Sequence, residues 1–306
     1  MTVALVSGAG GFVGAHLCRH LHARGWRVRV VSSATGHGGE PLGISLLERD
    51  PHRLAGALAG VDAVFHLAGI AHGDAATAEL LHAVNVDVPA RWLAAAEQAG
   101  VPAFVWLSSI KVLGDVSAAP LGVDAPYAPG DAYARTKMAA EQRLLAQQLA
   151  RTRLAVVRSP LVYGPGVKAN FLSLLRWAAS PLPLPLARAE APRSLVAVDN
   201  LCELMMRLTD DAPAGVYHVA DEDDFSVRRL ITELRRMLGR PRRLFPMPPG
   251  LLRTAAAWLG RPAIYSRLFE PLQIDTAATR ARLGWRPPRK ARDALQDTVT
   301  WFSTSR

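Results

Sequence analysis

The stretch TVALVSGAGGFVGAHLCRHL, residues 2–21, decides the fold. An apolar run, TVALVS, meets Gly8 and passes at once into a segment with helical spacing of its apolar residues. Gly8, Gly11 and Gly14 therefore stand at a strand-to-helix turn. Glycines there permit a tight turn, let backbone approach a pyrophosphate and let the helix pack closely on the strand, while the helix N-terminus supplies amide donors and partial positive charge. A dinucleotide is the implied ligand. The spacing departs from the commoner G-x-G-x-x-G, position 13 being Val, so the context carries the reading: a first strand before it and an amphipathic helix after it.

Outward from that turn, short apolar runs alternate with helix-like segments: RVRVVS, ISLLE, RLAGALAG, AVFHLAG, VDVPARWLAAAEQAG and AFVWLSS. This alternation predicts βαβ units and a doubly wound parallel sheet of Rossmann type. Helices ending in ARG and QAG show the glycine stop that precedes the next strand. After a further strand, LAVVRSP, prolines crowd SPLPLPLARAEAPRS and RPRRLFPMPPG and the rhythm breaks. The expected division is a dinucleotide-binding domain over 1–165 and a smaller C-terminal α/β substrate domain over 166–306. Two strand-like pieces within 194–222, SLVAVDN and GVYHVAD, are expected to rejoin the first.

The 306 residues, half of them apolar, suffice for a large core. Cys18 and Cys202 are far apart with no metal-ligand spacing, so no disulfide framework, no metal site and a reducing compartment are expected. With no leader-like N-terminus and no apolar run of spanning length, the expectation is a cytoplasmic protein without stable membrane insertion. The net charge of +10 comes from arginines that read as scattered, without interleaved aromatics, which argues against nucleic acid as partner. The amphipathic LLRTAAAWLGRPAIYSRLF could touch a membrane surface, but packing of a substrate-domain helix is the preferred reading.

A second stretch carries chemistry. GDAYARTKMAAEQ, residues 130–142, sets Tyr133 and Lys137 four apart on one helical face. A cation beside a phenol stabilises the phenolate and lowers its pKa, giving a group that can exchange a proton with an alcohol or ketone. The second strand ends at Ser32 and Ser33, where an acid would hold a free ribose 2′-hydroxyl. The favoured cofactor is therefore NADP(H), with NAD(H) possible, and Arg27, Arg29 or Arg49 are candidates for the 2′-phosphate.

With Gly8, Gly11, Phe12, Val13 and Gly14 at the start and Tyr133-x-x-x-Lys137 after the fifth strand, the chain resembles the extended short-chain dehydrogenase/reductase family, in its NAD-dependent epimerase/dehydratase group. The resemblance spans nearly the full length. It implies that Ser109, with Ser108 beside it, bonds the substrate oxygen, that Tyr133 transfers the proton, and that Lys137 holds the nicotinamide ribose. It further implies that Asp50 bonds the adenine amine, that Leu67, Ala68 and Gly69 of HLAG line the cofactor, that Asn85 is a structural asparagine at that site, and that His66 packs beneath it. Leu113 departs from the family, which often has Tyr there.

In the second half, RSPLVYGPG, RSLVAVDN and the segment from LGRPAIYSRLFE to RARLGW resemble the sugar-nucleotide branch. Asn170, Arg193, Arg267 and Glu270 are the positions this likeness assigns to a UDP-sugar. Guanidinium suits diphosphate because its planar fork pairs bidentately with phosphate oxygens. The implied activity is reduction of a nucleoside-diphosphate 4-keto sugar, such as a UDP-2-acetamido-2,6-dideoxy-4-hexulose of O-antigen pathways, by a homodimer. The alternatives are a UDP-sugar 4-epimerase with retained NAD and a non-catalytic dinucleotide sensor.

Overall fold

The alternation of strand and helix closes into one parallel sheet. A computed structural model describes residues 1–31, 38–71, 77–258 and 262–305. The first part runs β1 (Val3–Ser7), α1 (Phe12–Ala23), β2 (Arg27–Val31), β3 (Glu40–Pro41), α2 (Pro51–Ala57), β4 (Ala63–His66), α3 (Ala78–His82), α4 (Val88–Ala99), β5 (Ala103–Ser109), α5 (Ala132–Leu145) and β6 (Arg153–Ser159). Then follow β7 (Leu161–Tyr163), α6 (Ala169–Ala179), β8 (Pro192–Arg193), β9 (Leu195–Ala197), α7 (Val198–Arg207), β10 (Gly215–His218), β11 (Phe225–Ser226) and α8 (Val227–Met237). The chain ends with α9 (Pro249–Trp258), α10 (Pro262–Phe269), α11 (Ala277–Leu283) and α12 (Ala291–Thr304).

The sheet order is β3-β2-β1-β4-β5-β6-β10, all parallel, so the order reverses between β1 and β4. Ligands bind at the carboxyl ends of strands at such a switch point. Successive residues of β1 serve opposite faces. Ala4 and Val6 join α1 and α7 in one core, whereas Leu5 joins α2, α4 and α5 in the other. A third core forms among α6, α8 and α12.

Several expectations change here. ISLLE (44–48) is not a strand: Ile44 is buried and the Leu46 carbonyl accepts from Trp92 Nε1 at 3.2 Å, so this run is a loop laid over α4. The edge strand is β3, held to β2 by the forked Arg27–Glu40 pair and by the Leu42 amide on the Val30 carbonyl at 3.1 Å, with Pro41 between them presenting no N–H to the open edge. SLVAVDN is half strand and half helix, and β9 pairs with β7 outside the main sheet. GVYHVAD does enter the main sheet, as β10 beside β6.

Where α5 meets β5 and β6 the core holds a buried ion pair. Glu141 is fully buried and accepts from Arg158 Nε at 3.0 Å and Nη2 at 2.7 Å, from Tyr127 Oη at 2.9 Å and from Ser108 Oγ. Breaking a buried pair strands a charge, which costs about 3–5 kcal/mol. Urea denaturation of Glu141→Gln and Arg158→Met is therefore expected to show losses of about that size, with the double variant losing clearly less than the two singles added. Losses below about 1 kcal/mol, the range of an exposed pair, would contradict this.

Candidate active site

The glycine turn, the HLAG segment and Ser109 stand at the carboxyl ends of neighbouring strands. After β1, Gly8 adopts φ +78°, and a Cβ on it would lie 2.8 Å from the Ala68 amide nitrogen that follows β4. A Cβ on Gly14 would lie 2.1 Å from the Gly8 carbonyl oxygen, so only glycine lets α1 start this close to the turn. Gly11 caps α1 without a side chain and the first turn holds no acid. The positive helix end is thus presented to an anion, and the cradle fits a dinucleotide pyrophosphate. Phe12 packs edge-on against His16 at 5.4 Å and borders Gly164 and Gly166, while Val13 turns into the core.

A cavity of about 910 Å³ opens beyond this turn. Leu67 and Gly69 from the end of β4, Ser109 from β5 and Tyr133 and Lys137 from α5 line it. Asn170, Arg193 and Arg267, from α6, β8 and α10, line it as well. Residues as far apart in sequence as Leu67 and Arg267 therefore share one space.

Lys137 is buried, donates to the Leu107 carbonyl at 2.7 Å and lies 4.4 Å above the Trp106 ring. Burial pulls its ammonium down to about 8, partly opposed by Glu141 one turn later. A Cβ on Gly69 would lie 3.1 Å from Asn85 Oδ1, so it is the close approach of that asparagine that favours glycine here. Tyr133 does not show the expected lowering. Burial, with the Asp131 carboxylate, pushes its phenol up to about 12. The lysine's charge is turned to the end of β5 and is itself weakened by burial.

Ser108 and Ser109 both border the cavity but differ in what their hydroxyls meet. Ser108 turns inward to Glu141, whereas Ser109 faces the cavity and its Oγ accepts from the Lys111 amide at 3.3 Å. His66 is fully buried and stacked on Phe104 at 6.0 Å, and burial pulls its imidazole down to about 3. It is a neutral packing residue, in keeping with the sequence reading.

Other assigned residues already hold partners within the chain, and Asn85 does so as a structural asparagine. Asn85 sits in a π-helical turn over Ala83–Asp87 and its amide is consumed by Ile70 N at 2.8 Å, Ile70 O at 3.0 Å and Thr136 Oγ1 at 3.0 Å. It fixes the loop after β4 to α5. Asp50 caps α2 by accepting from His52 N at 2.9 Å. Glu270 offers its main-chain carbonyl to Arg193 Nη1 at 2.6 Å, and its carboxylate is not on the cavity wall. Ser32 and Ser33 lie outside the described residues. Arg27 is engaged by Glu40 and Arg29 donates to the Ala59 carbonyl at 2.9 Å, which leaves Arg49 of the three arginines considered for a 2′-phosphate. The sequence reading missed Glu141 and Arg158, although an arginine inside the apolar strand LAVVRSP was a visible sign of a buried partner.

This sheet order, with its glycine turn at the switch point and its Tyr–Lys helix beside it, defines a Rossmann-like dinucleotide-binding α/β protein. The chain belongs to the NAD dependent epimerase/dehydratase family, whose model matches residues 4–220. It is 31% identical to a UDP-glucose 4-epimerase of Vibrio cholerae over 97% of this chain and 94% of that protein. It is 27% identical to the N-acetyl-alpha-D-glucosaminyl-diphospho-ditrans,octacis-undecaprenol 4-epimerase of Escherichia coli O157:H7, over 81% and 76% of the two chains. The Bordetella bronchiseptica enzyme WbmG in complex with NAD shares the fold, with a TM-score of 0.79 at 19% identity over 99% of this chain and 94% of that one.

Lys137→Met tests whether the lysine serves stability or chemistry. Its folded pKa lies below the unfolded value, so charging it costs stability below about 8 and the cost fades as pH rises from there toward the unfolded value near 10.5. Thermal unfolding of the variant at pH 7 is expected to match or exceed wild type, with the difference shrinking above pH about 8, while dinucleotide affinity falls. A variant that loses stability and keeps its affinity would make Lys137 a structural residue.

Proposed function

We propose that this chain is a nicotinamide-dependent oxidoreductase acting at C4 of a nucleoside-diphosphate sugar, with reduction of a 4-keto sugar as its net reaction. One observation carries the reading: Ser109, Tyr133 and Lys137 share a cavity with Arg193 and Arg267, which come from the second half of the chain. A proton-transfer group is thereby placed in reach of one substrate whose other end is anionic. A bound reduced nicotinamide would supply the hydride.

The chain's own residues supply the rest. Ser109 Oγ donates to the carbonyl oxygen and fixes its direction. The Tyr133 hydroxyl gives its proton as the alkoxide forms, and Lys137, one turn on, would steady the resulting phenolate on turning from the Leu107 carbonyl. A phenol that keeps its proton is the form that ketone reduction consumes. Arg193 and Arg267 would hold the diphosphate, the first already oriented by the Glu270 carbonyl. NADP(H) is the proposed cofactor, because Ser32 and Ser33 stand where an acid would repel a 2′-phosphate.

The relatives favour a second reading. Two of them are named 4-epimerases, one across nearly the whole chain. An epimerase would use the same residues but return the hydride to the opposite face of C4, and would keep its dinucleotide through each turnover.

Two measurements decide. Tyr133→Phe should keep the fold and cofactor binding while cutting turnover by about two to four orders of magnitude, and near-wild-type turnover would remove Tyr133 from the mechanism. With a UDP-4-keto sugar, wild type should consume one reduced cofactor per sugar, read as loss of the reduced-nicotinamide absorbance. Conversion of UDP-N-acetylglucosamine to its C4 epimer without added cofactor, at a rate matching any keto-sugar turnover, would establish the epimerase instead.

A further inference from the structure

The positive charge of the chain is concentrated. Between Glu233 and Glu270 the sequence RRMLGRPRRLFPMPPGLLRTAAAWLGRPAIYSRLF, residues 235–269, holds eight arginines and no aspartate, glutamate or lysine, against a net charge of +10 for all 306 residues. The remainder is close to balanced, so the arginines are less evenly scattered than a first reading suggests.

Some of these arginines are spoken for. Arg235 is buried and donates to the Ser180, Leu182, Pro241 and Arg243 carbonyls, clamping the loop before α9 to the one after α6. Arg267 faces the cavity, Arg236 pairs with Glu233, and Arg242 shares a shallow hollow with Glu190 and Glu233. Arg240, Arg243 and Arg253 are exposed and form no ion pair with any described residue.

The same region bares apolar side chains. Leu182 is 65% exposed, Leu251 62% and Trp258 87%. Leu251 and Trp258 are seven residues apart on α9, two turns, and so share one face of the helix. Isolated exposed leucines are ordinary. A tryptophan and a leucine on one bare helical face, with the unpaired Arg253 on the opposite side of the helix and no carboxylate nearby in sequence, are the pattern of a helix that lies in an interface.

We propose that α9 and the loop before it dock this protein on the surface of an anionic phospholipid bilayer. Indole and leucine would enter the boundary between headgroups and acyl chains, and the guanidinium groups would meet lipid phosphates. Charge complementarity selects this occupant. A second copy of the chain would bring the same basic stretch and repel it, and single-stranded nucleic acid asks for several aromatics along a basic groove. No helix among the described residues is long and apolar enough to cross a membrane, so the contact is peripheral. Because α10 packs on α9 and carries Arg267 and Leu268 of the cavity wall, docking would set that wall beside the headgroups.

The test is co-sedimentation of the full chain with phosphatidylcholine vesicles, with and without phosphatidylglycerol, in about 0.1 M salt, where charges within about 10 Å still act. Binding is expected to the anionic vesicles alone. It should weaken about fivefold for each arginine removed in Arg240→Ser and Arg253→Ser, and at least as much in Leu251→Ser/Trp258→Ser. Tryptophan emission should shift to the blue on binding, and Trp258→Phe should abolish the shift. The melting temperatures of these variants should match wild type, since none of the side chains is buried or faces the cavity. Absence of binding to anionic vesicles, or equal binding by wild type and all variants, would overturn the proposal. A dimer seen by light scattering and lost in Leu251→Ser/Trp258→Ser, without vesicle binding, would give the face to a second copy and overturn it equally. The outcome is independent of which sugar, if any, the enzyme turns over.

Discussion

Glu141 is closed off from water and Arg158 nearly so, which makes their contact a constraint on everything around it. Two charges brought out of water must meet with good geometry and with their remaining hydrogen-bonding capacity used. Arg158 meets this by donating twice to the carboxylate and once to the Val123 carbonyl at 2.9 Å; Tyr127 and Ser108 complete the carboxylate's shell. The three elements so joined are those that carry Lys137, Ser109 and the Ser159–Pro160 wall of the cavity. Glu141 lies one helical turn beyond Lys137, as Lys137 lies one turn beyond Tyr133. A rotation of α5 that moved the phenol would have to break the buried pair first.

A second polar cluster joins the two parts of the chain. Asp221, just after β10, accepts from Tyr163 Oη at 2.6 Å, Asn200 Nδ2 at 2.7 Å and the Ala197 amide at 3.1 Å. It thereby ties β7, β9 and the start of α7 to the main sheet. Asp199, next to Asn200, faces the other way, and His16 first, then His20 at 3.1 Å and Arg289 at 2.6 Å, hold its carboxyl well below the usual range. The arginines on the far cavity wall are thus fixed relative to the dinucleotide turn by hydrogen bonds as well as by apolar packing.

The sheet and its glycine turn were legible because backbone requirements leave marks at fixed spacing: Gly8, Gly11 and Gly14 after an apolar run, and Tyr133 and Lys137 on one helical face. The buried pair was not read, since one member lies in a helix and the other in a strand, and pairing across 17 positions has no local signature. The apolar ISLLE run misled for a related reason: burial against α4 and membership of a strand ask for the same residues. The hydrogen bonds through which Asn85 fixes the loop after β4 and Asp50 caps α2 have no mark in the sequence pattern, because their partners are main-chain groups and a threonine hydroxyl. The direction of the Tyr133 shift was missed because sequence shows the neighbouring cation and hides the burial.

The central claim is that one cavity presents a proton-transfer group and a diphosphate grip to the same molecule. The most direct measurement is a crystal structure of the ternary complex with a nicotinamide dinucleotide and UDP. The account predicts the dinucleotide pyrophosphate at the Gly8–Gly14 turn, the UDP diphosphate within hydrogen-bonding distance of Arg193 or Arg267, and a path from its β-phosphate to Tyr133 long enough for one sugar ring. UDP bound elsewhere, or bound in that cavity with both guanidinium groups turned away, would contradict it.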